Sequence, residues 1–248
     1  PIIRALSSAE TIVELTGKDR VKVTSGSSVF QIAGLPADQF PPISNFAGQP
    51  TIAIDQDNLG SMLRKVSYAQ STDENRYILN GVFFDPNETG AKMVATDGHR
   101  LVHSVVSCAT PDFGGVLVSR KTTGLLRRVL AAGEVHVEVS ENSVSVTQGS
   151  EVIVARLIDG HFPDYAAIYP KTEAKSTLDV KELLSSLGRL KLVNEANTWT
   201  VGGGTVKFKA TNPDLGEVED WMHHGNDAKD VTFGVNGAYI REAVSVVT

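Results

Sequence analysis

A stretch near the start of this chain is written again, with few changes, in its middle. Arg20-Val-Lys-Val-Thr-Ser-Gly-Ser-Ser-Val-Phe-Gln-Ile returns as Ser143-Val-Ser-Val-Thr-Gln-Gly-Ser-Glu-Val-Ile-Val-Ala, and Val21 matches Val144 at an offset of 123 residues. Each copy runs on to a Phe-Pro pair, in Asp38-Gln-Phe-Pro and in Gly160-His-Phe-Pro-Asp. A second match begins where the first ends. Thr51-Ile-Ala-Ile-Asp, leading into an amphipathic helix, answers Thr177-Leu-Asp-Val-Lys, leading into another, at an offset of 126. Offsets of this size describe tandem copies of one domain-sized unit, which stack into a curved array or close into a ring. Such a body acts first through its shape.

The repeat divides the 248 residues into several small domains rather than one large one. Hydrophobic residues at 41% and charged residues at 21% are ordinary for a soluble globular protein, so each unit can bury its own core. No apolar run approaches the ~20 residues of a membrane span, and the start Pro1-Ile-Ile-Arg lacks the pattern of a signal peptide. The single cysteine, Cys108, cannot form an internal disulfide, which fits a cytoplasmic protein. The histidines show no metal-ligand spacing. Their one cluster, His223-His224, reads as a solvated loop, so neither metal nor cofactor is expected. The formal net charge of −6 should repel nucleic acid from the surface as a whole. A nucleic-acid partner therefore requires positive charge gathered on one face.

Residues 51–168 read as one complete unit. Alternation and turn signals predict a strand at Thr51–Ile54, a helix from Asp55 to Tyr68, and strands at Arg76–Phe84, Lys92–Thr96 and Arg100–Ser107. The pattern then repeats, with a strand at Val116–Val118, a helix from Ser119 to Ala132, and strands at Val135–Val139, Val144–Thr147 and Val152–Ile158. The unit is itself doubled, and its two helices should lie side by side on one face of the sheets. Residues 3–46 match only the later part of such a unit, and the initial proline implies an upstream piece missing from this sequence. A third unit begins near Thr177 and stops at Thr248, within a second helix at Ala238–Val246. Pro41-Pro42 to Pro50 and Pro170 to Ser176 read as linkers, giving domains at 1–47, 48–170 and 171–248.

The helices carry the charge. On a wheel of ~100° per residue, Leu125, Leu126, Val129 and Leu130 fall on one side of the second helix, and Arg120, Lys121, Arg127 and Arg128 on the other, with no acid among them. The first helix places Leu59, Met62, Leu63 and Val66 inward and Arg64 and Lys65 outward, beside Asp57. In the third unit Lys181, Arg189 and Lys191 share a helix with Asp179 and Glu182. One such helix alone is an ordinary solvated face. A net-acidic chain that repeats the pattern on equivalent helices has the electrostatics of a wall facing phosphates. Without interleaved aromatics for base stacking, a duplex bound without sequence preference is favoured over single strands.

Three motifs stand in order: Arg76-Tyr-Ile-Leu-Asn-Gly-Val-Phe-Phe, then Met93-Val-Ala-Thr-Asp-Gly-His-Arg-Leu-Val, then Leu157-Ile-Asp-Gly-His-Phe-Pro-Asp-Tyr. With their spacing, they closely resemble the bacterial sliding clamp, the beta subunit of DNA polymerase III. The resemblance covers the later part of a first clamp domain, all of a second and the earlier part of a third. It implies an α+β DNA clamp fold: tandem domains, each with two helices packed on antiparallel sheets of pseudo-twofold symmetry. It further implies a homodimeric, non-enzymatic processivity factor that encircles double-stranded DNA and docks the polymerase III catalytic subunit, the clamp loader and other replication and repair proteins.

Thr96-Asp97-Gly98-His99-Arg100 reads by itself as a tight turn between strands. A hydrolase or transferase built on Asp97, His99 and Arg100 is the rival reading, and a tandem scaffold without DNA is another. The resemblance makes this turn part of a peptide pocket lined by Leu79, Thr96, Gly98, His99, Arg100, Leu101, Pro163 and Ile168, with an apolar floor and a polar rim. Arg64, Lys65, Arg120, Lys121, Arg127, Arg128, Lys181 and Arg189 then face DNA. Phe30, Gln31 and Ile32 of one subunit meet Lys191 and Leu192 of the other. Asn80-Gly81 should serve a backbone need at a strand twist, and Asp164 and Tyr165 should fix the chain as it leaves the second domain. Ala167 departs from the arginine that clamps often carry beside the pocket. Between Asn194 and Val206 the third domain is short, with Gly202-Gly-Gly in place of a longer strand pair.

Overall fold

The computed structural model describes residues 2–6, 10–17, 19–40, 42, 44–87, 90–111, 114–170, 175–223, 225 and 231–247. Pro41, Ile43, residues 171–174 and His224, which the linker and loop readings include, lie outside these. The chain divides into two compact units, Pro1–Asn45 and Phe46–Thr248.

The first unit is a three-stranded antiparallel sheet of β1 (Ile12–Leu15), β2 (Arg20–Ser25) and β3 (Ser28–Ala33), paired in that order. In the second unit the chain runs through β4 (Thr51–Asp55), α1 (Gln56–Val66), β5 (Gly81–Asn87), β6 (Gly90–Thr96), β7 (Leu101–Val106), β8 (Val116–Ser119), α2 (Arg120–Val129), β9 (Glu134–Val139), β10 (Ser143–Gln148) and β11 (Glu151–Ile158). After these come α3 (Val180–Leu190), β12 (Ala196–Gly202), β13 (Thr205–Asn212), β14 (Gly216–His223), β15 (Val231–Asn236) and α4 (Gly237–Ser245).

Strands β4 to β11 form one sheet in the order β4-β9-β10-β11-β8-β5-β6-β7. Each strand that feeds a helix pairs with the strands that follow the other helix: β4 with β9, and β8 with β5. This exchange makes two four-stranded halves related by a pseudo-twofold, joined where Leu157 and Ile158 face Val118 and Leu117. Alternation sets the buried face, since Ile52 and Ile54 on β4 and Val135, Val137 and Val139 on β9 point into one continuous core under α1 and α2. The helices touch each other, and Leu59, Met62, Leu63 and Val66 of α1 are all buried. Asp55 caps α1 by accepting from the backbone N–H of Asp57 and Asn58, an arrangement that contributes about 1 kcal/mol to a helix.

The remaining strands repeat parts of this plan. Hairpin β2–β3 has the register of β10–β11 at every paired position: Arg20 faces Ala33 as Ser143 faces Arg156, and Ser25 faces Ser28 as Gln148 faces Glu151. The sheet β14-β13-β12-β15 repeats the order β7-β6-β5-β8, over its own core of Leu183, Leu187, Leu190, Trp199, Phe208 and Met222.

Several local expectations are corrected. Residues 76–79 are not strand: a 3-10 segment spans Glu74–Leu79, started by Asp73, whose side chain accepts from the N–H of Asn75. The strand begins at Gly81, where a Cβ would meet the Val118 carbonyl oxygen at 2.5 Å. The need there is close backbone approach at the β5–β8 crossing. On α2, Leu125 and Val129 are 36% and 37% exposed, whereas Thr122 and Thr123 are buried beside Leu126. The threonines can turn inward because their hydroxyls have partners, Ser119 Oγ for Thr122 and the Arg120 carbonyl for Thr123. A wheel that counts only apolarity cannot register this.

In the third part, Asp179 caps α3 as Asp55 caps α1, an offset of 124 rather than 126. Thr177 therefore matches Ala53, and residues 175–179 form no strand. The strand pair around Gly202 is full length and closed by Gly203 and Gly204 with φ of 57° and 75°, as a two-residue hairpin requires. The shortening lies before it: 5 residues join α3 to β12, where 14 join α1 to β5. His223 is the last residue of β14, edge-on to Trp221, and not part of a loop.

Candidate functional site

Opposite its buried side, α2 exposes Arg120, Lys121, Arg127 and Arg128, which with Gly124 line an open groove. Arg64 and Lys65 are exposed on α1, and Lys181 on α3. None of these seven forms an ion pair with a described acid. Arg189 differs. Its Nε donates to Asp220 Oδ2 at 2.6 Å and its Nη atoms donate to Ser185 and Ser186, so its charge is locally neutralised.

The turn between β6 and β7 is built by its own side chains. Asp97 Oδ1 accepts from the N–H of His99 and Arg100 at 3.0 and 3.1 Å, and Thr96 Oγ1 donates to the Arg100 carbonyl at 2.6 Å. Gly98 supplies a φ of 88°, and a side chain there would strike Arg76 Nη1. Arg100 Nε closes the ring by donating to Asp97 Oδ2 at 3.0 Å. Burial alone would raise the pKa of Asp97, but the two N–H donors and the guanidinium outweigh it and hold the carboxyl below its ordinary value. The Asp97 carboxylate is thus structurally engaged, and the His99 ring stands exposed 6.4 Å from the ring of Tyr239 on α4.

The other predicted pocket residues occupy two places. Leu79 is 8% exposed at the end of the 3-10 segment, where its carbonyl accepts from Ser71 N–H. Pro163 is exposed and Ile168 is 62% exposed, both on the segment after β11. That segment is fastened to β5, β6 and β7. Phe162 stacks on Phe83 at 5.0 Å, Tyr165 donates to Asp85 and accepts from Lys92, and Tyr169 meets His103 at 2.7 Å. Burial, and then the bond to Asp85, pushes the Tyr165 hydroxyl well above its usual pKa.

A polar cleft of about 410 Å³ connects the turn to the start of α2, lined by Tyr68, Asp73, Arg76, His99 and Arg120 among others. Sequence reasoning missed Tyr68, Arg76, Tyr239 and Glu242, all of which the fold brings to the turn. Arg76 lay within a quoted motif and could have been found. Tyr239 and Glu242 lie about 140 residues further along the chain, with no local signal.

On β3, an outer strand, Phe30 and Ile32 are half-buried and Gln31 is exposed. Lys191, the C-cap of α3, is exposed, and Leu192 beside it is 75% exposed. Among the described residues, no cluster of His, Cys, Asp and Glu could hold a metal ion, and no helix is long and apolar enough to cross a membrane.

Comparison with known proteins meets this architecture at every scale. A family profile described as DNA polymerase III beta subunit, central domain, matches residues 53–164, the doubled sheet with α1 and α2. The chain is similar to the beta sliding clamp of Caulobacter vibrioides, 31% identical over 254 aligned residues that cover 96% of this chain and 68% of that one. The crystal structure of the DNA polymerase III subunit beta from Pseudomonas aeruginosa superposes with a TM-score of 0.86 at 25% identity, covering 99% of this chain and 70% of that one. The sliding clamp of Bartonella birtlesii, solved bound to griselimycin, gives 0.85 at 27% identity, with 99% and 69% covered. With its internal repeat, its exchanged half-sheets and these likenesses along nearly its whole length, this chain belongs to the bacterial beta sliding clamp family, the beta subunits of DNA polymerase III.

Proposed function

We propose that this chain serves as a DNA polymerase processivity factor, a cytoplasmic sliding clamp that encloses duplex DNA and carries out no turnover of its own. The observation that carries the reading is the acid-free basic face of α2 on a chain of net charge −6. A clamp that slides needs enough positive charge to tolerate the phosphate backbone but few tight contacts, since each neutralised phosphate adds affinity and slows movement. Arg64, Lys65, Arg120, Lys121, Arg127, Arg128 and Lys181 are the proposed DNA-facing residues, with Arg189 contributing less because Asp220 occupies it.

The proposed domains are residues 1–47, 48–170 and 171–248, supported by the repeated register of β2–β3 and the repeated order of the four-stranded sheet. Leu79, Thr96, Gly98, His99, Arg100, Leu101, Pro163 and Ile168 are proposed to form or flank a docking site for short apolar segments of the polymerase catalytic subunit, the clamp loader and repair proteins. The bound griselimycin of the Bartonella birtlesii clamp supplies a probe for it. In the homodimer, Phe30, Gln31 and Ile32 on the β3 edge are proposed to meet Lys191 and Leu192 of a second copy, which would cover strand groups that an exposed edge leaves open.

Retention on closed circular DNA, with release when the circle is cut, tests enclosure. Equal release from circular and linear DNA sinks it.

A further inference from the structure

The guanidinium of Arg100 is enclosed by three segments far apart in sequence. Its Nε donates to Asp97 Oδ2 at 3.0 Å, its Nη1 to Glu242 Oε2 at 2.5 Å and its Nη2 to the Tyr68 carbonyl at 3.0 Å. Its planar group also lies 5.1 Å from the Tyr68 ring and 4.5 Å from the Tyr239 ring. Tyr239 and Glu242 stand one helical turn apart on α4, so a single face of that helix meets the group with both a ring and a carboxylate. Only an arginine offers this combination, because its flat fork donates in its plane while its faces stack on aromatic rings.

The neighbouring residue fastens α4 in another direction. Arg241 donates to both carboxylate oxygens of Glu195, at 2.8 and 2.5 Å, and to the Leu187 carbonyl at 3.5 Å. Consecutive side chains thus tie α4 to the core of the four-stranded sheet through Arg241, and to the β6–β7 turn of the eight-stranded sheet through Glu242. The side chain of Glu242 is 52% exposed and that of Asp97 18% exposed, and the bond to Glu242 is the more open to solvent of the two.

We propose that Arg100 is a positioning residue: a clasp that holds α4 against the Thr96–Leu101 turn and thereby fixes the geometry of the docking site, without itself engaging the docked segment. Three of its five N–H donors are taken up by the chain itself, and two tyrosine rings lie within 5.1 Å of the group, so the side chain is committed to holding these segments together. The clasp stands on the contacts alone, and its consequence for docking rests on the docking reading above.

The test uses the full chain with Cys108→Ser and spin labels on cysteines placed at the exposed positions Glu141 and Lys207, one on each side of the clasp. The parent should give one narrow distance distribution. Glu242→Gln and Arg100→Lys, checked as folded by circular dichroism, should each broaden it, and so should raising salt in the parent from about 0.05 to about 0.5 M. Griselimycin affinity should fall about 5- to 150-fold in both variants, the ordinary span of a coupling between sites. An unchanged distribution in both variants overturns the clasp. A fall in affinity without broadening overturns the positioning role, because Arg100 would then touch the ligand directly. Should the parent itself not bind griselimycin, the docking reading fails, and the distance distributions still decide the clasp.

Discussion

Gln70 and Thr123, 53 residues apart and both buried, hydrogen-bond at 3.2 Å and so pin the segment after α1 to the inner face of α2. A buried amide that loses its partner pays the full cost of desolvation. Thr123→Val, nearly isosteric, should therefore lower stability by about 1–3 kcal/mol, while Thr123→Ser should recover most of it. Urea denaturation of the two variants checks this, and equal stability would mean that the bond contributes nothing.

Reversing Lys121, Arg127 and Arg128 to glutamate should abolish retention on circular DNA and leave griselimycin affinity unchanged, since these side chains line the α2 groove and not the cleft beside the β6–β7 turn, which Arg120 borders. Replacing Arg127 alone with alanine should lower the slope of log affinity against log salt by about 1. Filter retention across a salt series measures both. A parallel loss of griselimycin binding in the threefold variant would join the two surfaces that the proposal separates.

Two glycines should respond to alanine with opposite signs. At Gly81 the new methyl would stand 2.5 Å from the Val118 carbonyl oxygen and 2.9 Å from Ile158 Cδ1, so Gly81→Ala should cost about 1–3 kcal/mol by forcing β5 and β8 apart. At Gly124, inside α2, a methyl would meet open space, and Gly124→Ala should add about 0.5–1 kcal/mol of helix propensity. Thermal melts of the pair decide the matter.

Asp97 gives the acid limb of stability a definite sign. Its carboxyl titrates below the ordinary 3.8 when folded, so the folded chain binds that proton less readily than the unfolded one. The stabilisation is complete above the unfolded value and is lost as pH falls through the lower folded value. Asp97→Asn should flatten the loss of melting temperature between about pH 5 and pH 2. A variant whose acid profile matches the parent would show that the turn's hydrogen bonds are too weak to matter.

The tandem repeat, the doubling within residues 51–168, the order of strands and helices, and the segregation of charge on α2 were all legible in the sequence. Each depends on local periodicity and on self-similarity, and a single chain displays both. The same logic explains the errors. Residues 76–79 have strand-like composition, yet the cap at Asp73 holds them in a 3-10 segment, and Thr122 and Thr123 go inward because hydroxyl partners within reach satisfy them.

The exchange of β4 and β8 between half-sheets, the buried Gln70–Thr123 bond and the enclosure of Arg100 by Tyr68, Tyr239 and Glu242 were decided only in three dimensions. The sequence by itself therefore determined which faces are apolar and which are basic, because that follows from residue type at a fixed period. Only the tertiary structure decided which distant side chains meet, because a pairing across some 140 residues leaves no local trace: its energy exists only once both partners are already held in place.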